Sequence, residues 1–88
     1  MADIKRVALV TGGNRGLGFE TCRQLAQRGL KVILTSRDGL SGKAAADKLQ
    51  TEGLNVAYYP LDVTRSESIL RLSEEIERHY KRLDVLVN

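Results

Sequence analysis

The sequence predicts an α/β protein built on a doubly wound parallel sheet, and three observations carry that prediction. Short β-branched apolar runs alternate with helix-length amphipathic stretches, glycines stand where two of the helices should stop, and a glycine-rich turn joins the first run to the first helix. Apolar runs without polar alternation suit strands buried on both faces, as in a parallel sheet. Their βαβαβαβ order implies right-handed crossovers and helices on both faces of the sheet.

Each element has its own signal. The runs RVALVT (6–11), KVILTS (31–36), NVAYYPL (55–61) and DVLVN (84–88) predict four strands. The first helix is expected over about 16–28, with Cys22, Leu25 and Ala26 on its apolar stripe and Gly29 as its stop. The second is expected over about 41–52, with Ala45, Lys48 and Leu49 at helical spacing and Gly53 beyond its end. For the third, TRSE reads as a capping box with Thr64 as N-cap and Glu67 at N3. Ile69, Leu72, Ile76 and Tyr80 then recur at helical intervals.

With 88 residues, the chain holds one domain. Its 14 basic and 11 acidic residues are scattered, with no basic block to form a nucleic-acid face. Cys22 is the only cysteine, so no internal disulfide or cysteine-based metal cluster is expected, and a reducing compartment fits. The opening MADIKRVALVTGG has too short an apolar run for a signal peptide, and no run approaches the about 20 residues that span a bilayer. A cytoplasmic protein is expected. Because LDVLVN enters an apolar strand with no covering helix after it, the chain reads as the N-terminal part of a longer doubly wound domain, truncated after the fourth strand. A complete four-stranded domain is the alternative.

The turn VTGGNRGLG places four glycines in seven positions, 12–18. A glycine-rich turn between a buried strand and a helix lets backbone approach a ligand and aims free helix N–H groups at an anion. The spacing separates the candidates. Gly13 and Gly18 have the separation of a P-loop, but Phe19 and Glu20 stand where Lys and Ser/Thr are needed. The G-x-G-x-x-G dinucleotide fingerprint fails too. What fits is Thr11-Gly12-x-x-x-Gly16-x-Gly18.

That loop resembles the T-G-x-x-x-G-x-G of the short-chain dehydrogenase/reductase family. LDVT (61–64) matches the family's acidic residue after the third strand, and LDVLVN ends on Asn88, the first Asn of its N-N-A-G motif. VTGGNRGLG, LTSRD and LDVLVN look most like the carbonyl-reductase-like members. The resemblance implies a Rossmann-type sheet of order 3-2-1-4 and a nicotinamide dinucleotide at the switch point between the first and fourth strands. It implies that Gly12 makes the turn, Gly16 admits the pyrophosphate, Gly18 lets helix and strand pack closely, and Leu17 offers its N–H to phosphate. Asp62 would accept from the adenine amino group, with Val63, Asn14 and Asn88 completing the site. A solvated residue ahead of an N-cap is the competing reading of Asp62.

The end of the second strand decides between cofactors. An acidic residue there holds the ribose 2′-OH of NAD and would repel a 2′-phosphate. Ser36 occupies that slot, 24 residues after Gly12, and Arg37 follows it. Arg15 precedes Gly16 at the family's other basic position, so NADP(H) is the expected cofactor, through two charge-assisted contacts. Asp38 is the neighbour that would weaken this preference if the strand ran further.

The family's catalytic Ser and Tyr-x-x-x-Lys pair lie beyond the N-N-A-G motif. Tyr58, Tyr59 and Tyr80 are followed four positions on by Asp62, Val63 and Asp84, so none forms the pair. Ser73, His79 and Cys22 read as surface or core residues, and no catalytic or metal-ligating residue is assigned. The expectation is an NADPH-dependent oxidoreductase acting on a small carbonyl or alcohol, of which this chain is the cofactor-binding part. The alternatives are an inert dinucleotide-binding module or truncated product and, less well matched, a methyltransferase-like domain.

Overall fold

Seven elements succeed one another in a computed structural model that describes residues 5–88: β1 (Val7–Val10), α1 (Gly16–Gln27), β2 (Lys31–Ser36), α2 (Gly39–Thr51), β3 (Val56–Pro60), α3 (Ser66–His79) and β4 (Val85–Val87). Residues 1–4, the start of the segment judged too short for a leader, lie outside the described residues. All strand pairs are parallel and the order is β3-β2-β1-β4. Val10 pairs with both Leu34 and Val87, and Leu34 with Tyr58, so all four strands finish along one edge.

The crossovers explain the two layers of helix. Successive right-handed steps from β1 to β2 to β3 put α1 and α2 on the same face. There Val10, Val32 and Leu34 meet Cys22, Ala46 and Leu49 in one core. The step back from β3 to β4 reverses direction and carries α3 to the other face, where Leu72 packs on Val7, Leu9, Ile33 and Leu61. Ile33, Leu34 and Leu49 are fully buried, each contributing about 1.5–3 kcal/mol of apolar burial. Helices α1 and α2 end before Gly29 (φ +91°) and Gly53 (φ +82°), both in the left-handed conformation that terminates a helix.

Two local expectations are corrected. Helix α3 begins at Ser66 with Arg65, not Thr64, at the cap. Asp62 Oδ1 accepts both the Thr64 N–H (3.0 Å) and the Thr64 hydroxyl (2.6 Å), a local turn that takes the hydroxyl away from the helix. Helix α2 begins two residues early, at Gly39, because Asp38 caps it by accepting from the N–H groups of Leu40 and Ser41. In β4, Leu86 is 59% exposed. Among the described residues this strand pairs with β1, and α3 packs over β3.

Candidate functional site

The glycines divide into two pairs of opposite character. Gly12 (φ +63°) and Gly16 (φ +61°) hold left-handed backbone, and an added Cβ at either would meet open space. These two present bare backbone outward, at a conformation that strains other residues. Gly13 and Gly18 face inward. A Cβ on Gly18 would lie 2.2 Å from the Gly12 carbonyl oxygen, and one on Gly13 would lie 2.8 Å from Leu34 Cγ. The loop is anchored by the Gly13 N–H on the Thr35 carbonyl (2.9 Å) and the Thr11 N–H on the Val87 carbonyl (2.9 Å). The buried Thr35 hydroxyl in turn donates to the Val10 carbonyl (2.8 Å).

Helix α1 starts from this loop without a side-chain cap and without an acidic residue in its first turn. Its N-cap, Arg15, is extended and exposed, and the Leu17 side chain is 88% exposed. The other two helices differ: Asp38 caps α2 and Glu67 stands in the first turn of α3. Among the described residues, then, no acidic side chain caps or stands in the first turn of α1, which makes this terminus the receptive one.

The end of β2 adjoins the loop. Ser36 is buried, its hydroxyl donating to the Asp38 carbonyl at 2.8 Å. Arg37 is exposed, and its charge helps lower the Asp62 carboxyl. Asp38, with its carboxylate on α2, is committed to capping. Asn14 is half-buried and donates from Nδ2 to Ser41 Oγ at 3.0 Å. Sequence reasoning passed over this link, because a serine in a predicted helix carries no signal of its partner.

Beyond β3, Asp62 is half-buried and held below the ordinary aspartate range, chiefly by the Thr64 hydroxyl and N–H, with Arg37 and Arg65 adding. Val63 is 61% exposed. Asn88 lies past β4, where the Thr11 hydroxyl reaches its Oδ1 at 3.4 Å. Topology thus brings Gly12–Gly18, Ser36–Arg37, Asp62–Val63 and Asn88 to the single edge where the strands end. A groove of about 860 Å³ runs between α3 and β4, lined by Leu9, Ile69, Leu72 and Leu86, with Thr11, Val63 and Asn88 at the strand ends. Cys22 is a core residue whose thiol burial pushes up to about 12. Ser73 and His79 are exposed.

A glycine turn feeding an uncapped helix at the switch point of a 3-2-1-4 parallel sheet defines a Rossmann-type α/β protein. The chain matches the short chain dehydrogenase family over residues 6–88 and belongs to it. It is 47% identical to (-)-isopiperitenone reductase of Mentha piperita, covering 100% of this chain and 29% of that protein. It is 43% identical to the NADPH carbonyl reductase 3 of Rattus norvegicus, over 100% of this chain and 32% of that one. Among solved structures, menthone neomenthol reductase from Mentha piperita superposes with a TM-score of 0.92 at 43% identity, covering 98% of this chain and 31% of that chain. The chain thus spans about a third of the length of the curated relatives it matches. Among the described residues, no helix is long and apolar enough to cross a membrane, and no group of three or more His, Cys, Asp or Glu is placed to hold a metal.

Proposed function

We propose that this chain is the NADP(H)-binding N-terminal part of an oxidoreductase that interconverts a small carbonyl compound and its alcohol, working in the cytoplasm. The observation that carries the reading is the uncapped start of α1, with bare backbone at Gly12 and Gly16, beside two exposed arginines. In this reading the N–H groups at Gly16 and Leu17 hold the pyrophosphate, and Gly18 keeps α1 close enough to the loop to aim them. Arg15 and Arg37 hold the 2′-phosphate. Asp62 accepts from the adenine amino group through Oδ2, which takes no part in the two Thr64 bonds. Val63 flanks the adenine, and Asn14 and Asn88 border the site at the ends of β1 and β4.

When bound, the cofactor supplies the hydride, and proton exchange with the substrate oxygen needs a donor. None of Tyr58, Tyr59 and Tyr80 has a lysine four positions on. The Ser and Tyr-x-x-x-Lys set belongs to the remaining length of a protein the size of the relatives, whose C-terminal part would also cover the groove between α3 and β4. The 88-residue chain alone should therefore bind cofactor without turnover.

Titration of NADP and NAD onto the chain and its variants tests the reading. Arg37→Ala should weaken NADP by about 1.5–3 kcal/mol if the contact is partly buried, and less if salt screens it. NAD binding should stay nearly unchanged. Arg15→Ala should act in the same direction, and Ser36→Asp should shift preference further towards NAD by repelling the phosphate. Equal losses for both cofactors in Arg37→Ala would remove the phosphate-reading role. NADPH-dependent turnover by the chain alone would overturn the claim that it lacks the proton donor.

A further inference from the structure

The two arginines sit on segments that are far apart in sequence and tied together by side chains. The Asn14 amide, one residue before Arg15, donates to Ser41 Oγ at 3.0 Å. The Ser41 hydroxyl is directed at the Asp38 carbonyl at 3.5 Å, and the Ser36 hydroxyl donates to the same carbonyl at 2.8 Å. On the other side of Arg37, the Ser36 carbonyl accepts from the Tyr58 hydroxyl and the Leu61 N–H, each at 3.1 Å. Gly42 closes the arrangement, because a Cβ there would fall 2.3 Å from both Ser36 Oγ and Tyr58 Cε1. The backbone on either side of Arg37 is thus fixed while its side chain stays exposed. The Asn14–Ser41 bond connects that fixed turn to the segment bearing Arg15.

We propose that Ser41 is a positioning residue for discrimination between NADP and NAD: through Asn14 it holds the Arg15 and Arg37 segments in one relation, so that both meet the 2′-phosphate. This rests on the NADP(H) reading above. The Gly13 N–H on the Thr35 carbonyl ties the two segments through backbone, and the Asn14–Ser41 bond adds a side-chain tie next to Arg15. Two charges pre-set around one phosphate bind it better than two that must be ordered on arrival. Breaking the link should cost affinity only for ligands that carry the 2′-phosphate.

Adenosine 2′,5′-bisphosphate and adenosine 5′-monophosphate are the probes, titrated calorimetrically onto the 88-residue chain. Ser41→Ala should weaken the bisphosphate about three- to tenfold, the worth of one neutral hydrogen bond, and leave the monophosphate within about twofold. Ser41→Thr, which keeps the hydroxyl, should restore the wild-type ratio. Asn14→Ala alone should give the same selective loss, and adding Ser41→Ala to it should cost nothing further. A loss that persists in the Asn14→Ala background would mean that Ser41 touches the phosphate itself, and the positioning role would fall. Equal losses for both probes, or none, would also overturn it. A wild-type chain that binds the two probes equally would remove the NADP reading and this proposal together. A wild-type preference that both single variants leave intact would remove the proposal alone.

Discussion

At the residue scale, the glycines of one loop do two different jobs, and substitution separates them. Gly18→Ala forces a methyl against the Gly12 carbonyl oxygen, a backbone atom that cannot swing aside. We expect a loss of about 1–3 kcal/mol from overpacking, read as a lower denaturation midpoint, with α1 pushed off the loop. Gly16→Ala meets no atom but must hold φ +61°, a strain of about 1–2 kcal/mol. Both should destabilise the fold, but only Gly16→Ala does so without crowding, so its midpoint should recover on substitution by Asn, which tolerates the left-handed region. Thr11-Gly12-x-x-x-Gly16-x-Gly18 was legible because these constraints admit few residue types. The Asn14–Ser41 bond was not, since either residue suits many surface positions.

At the element scale, how each helix ends explains which boundaries could be read. Gly29 and Gly53 mark the ends of α1 and α2 in the sequence because glycine takes the left-handed conformation freely. Helix α3 gives no such mark: Lys81 holds φ +61° itself, with the N–H groups of Tyr80 and Lys81 both on the Ile76 carbonyl (2.8 and 2.9 Å). Lys81→Gly should relieve that conformation and raise stability by about 0.5–1 kcal/mol, measurable by chemical denaturation. The start of β4 carries one part of the pH dependence, beside the depressed Asp62 and Glu52 carboxyls. Asp84 Oδ2 accepts from Arg82 Nε and from the Val7 N–H, each at 2.8 Å. Arg82 first, then Val7, holds this carboxyl below the ordinary range. A carboxyl depressed in the folded state stabilises above its unfolded pKa, and that contribution is lost as pH falls through the folded value. The chain should therefore lose stability below about pH 4, and Asp84→Asn should show a shallower acid limb in melts taken across that range. Thr64 and Asp62 show the limit of cap reading: TRSE has the letters of a capping box, but a carboxylate two residues upstream takes the hydroxyl first.

At the scale of the whole chain, the two faces of the sheet are unequally covered by residues 5–88. Helices α1 and α2 close one face over Val10, Val32 and Leu34, whereas among the described residues only α3 packs on the other, with Ile69 48% and Leu86 59% exposed along the groove. An apolar groove of this size should bind a hydrophobic dye such as anilinonaphthalene sulfonate. Replacing Ile69 and Leu86 together by Ser should abolish most of the fluorescence gain and shift stability by no more than about 0.5 kcal/mol each, the usual range for exposed positions. Dye binding that survives both substitutions would locate the apolar surface elsewhere.

The sequence by itself determined the order of elements, the parallel sheet, the crossovers, the glycine turn and the family. These rest on local periodicity, on conformations that only glycine takes freely, and on the handedness of βαβ units, all of which leave marks on neighbouring residues. Tertiary structure alone decided that α3 packs over β3, that Asp38 caps α2, that Asp62 restrains Thr64 and that Asn14 reaches Ser41, 27 positions away. Burial of a strand depends on what packs over it, and a hydrogen bond depends on which competing partner lies nearest. Both are distances in space, and a chain fixes them only once its distant parts have met.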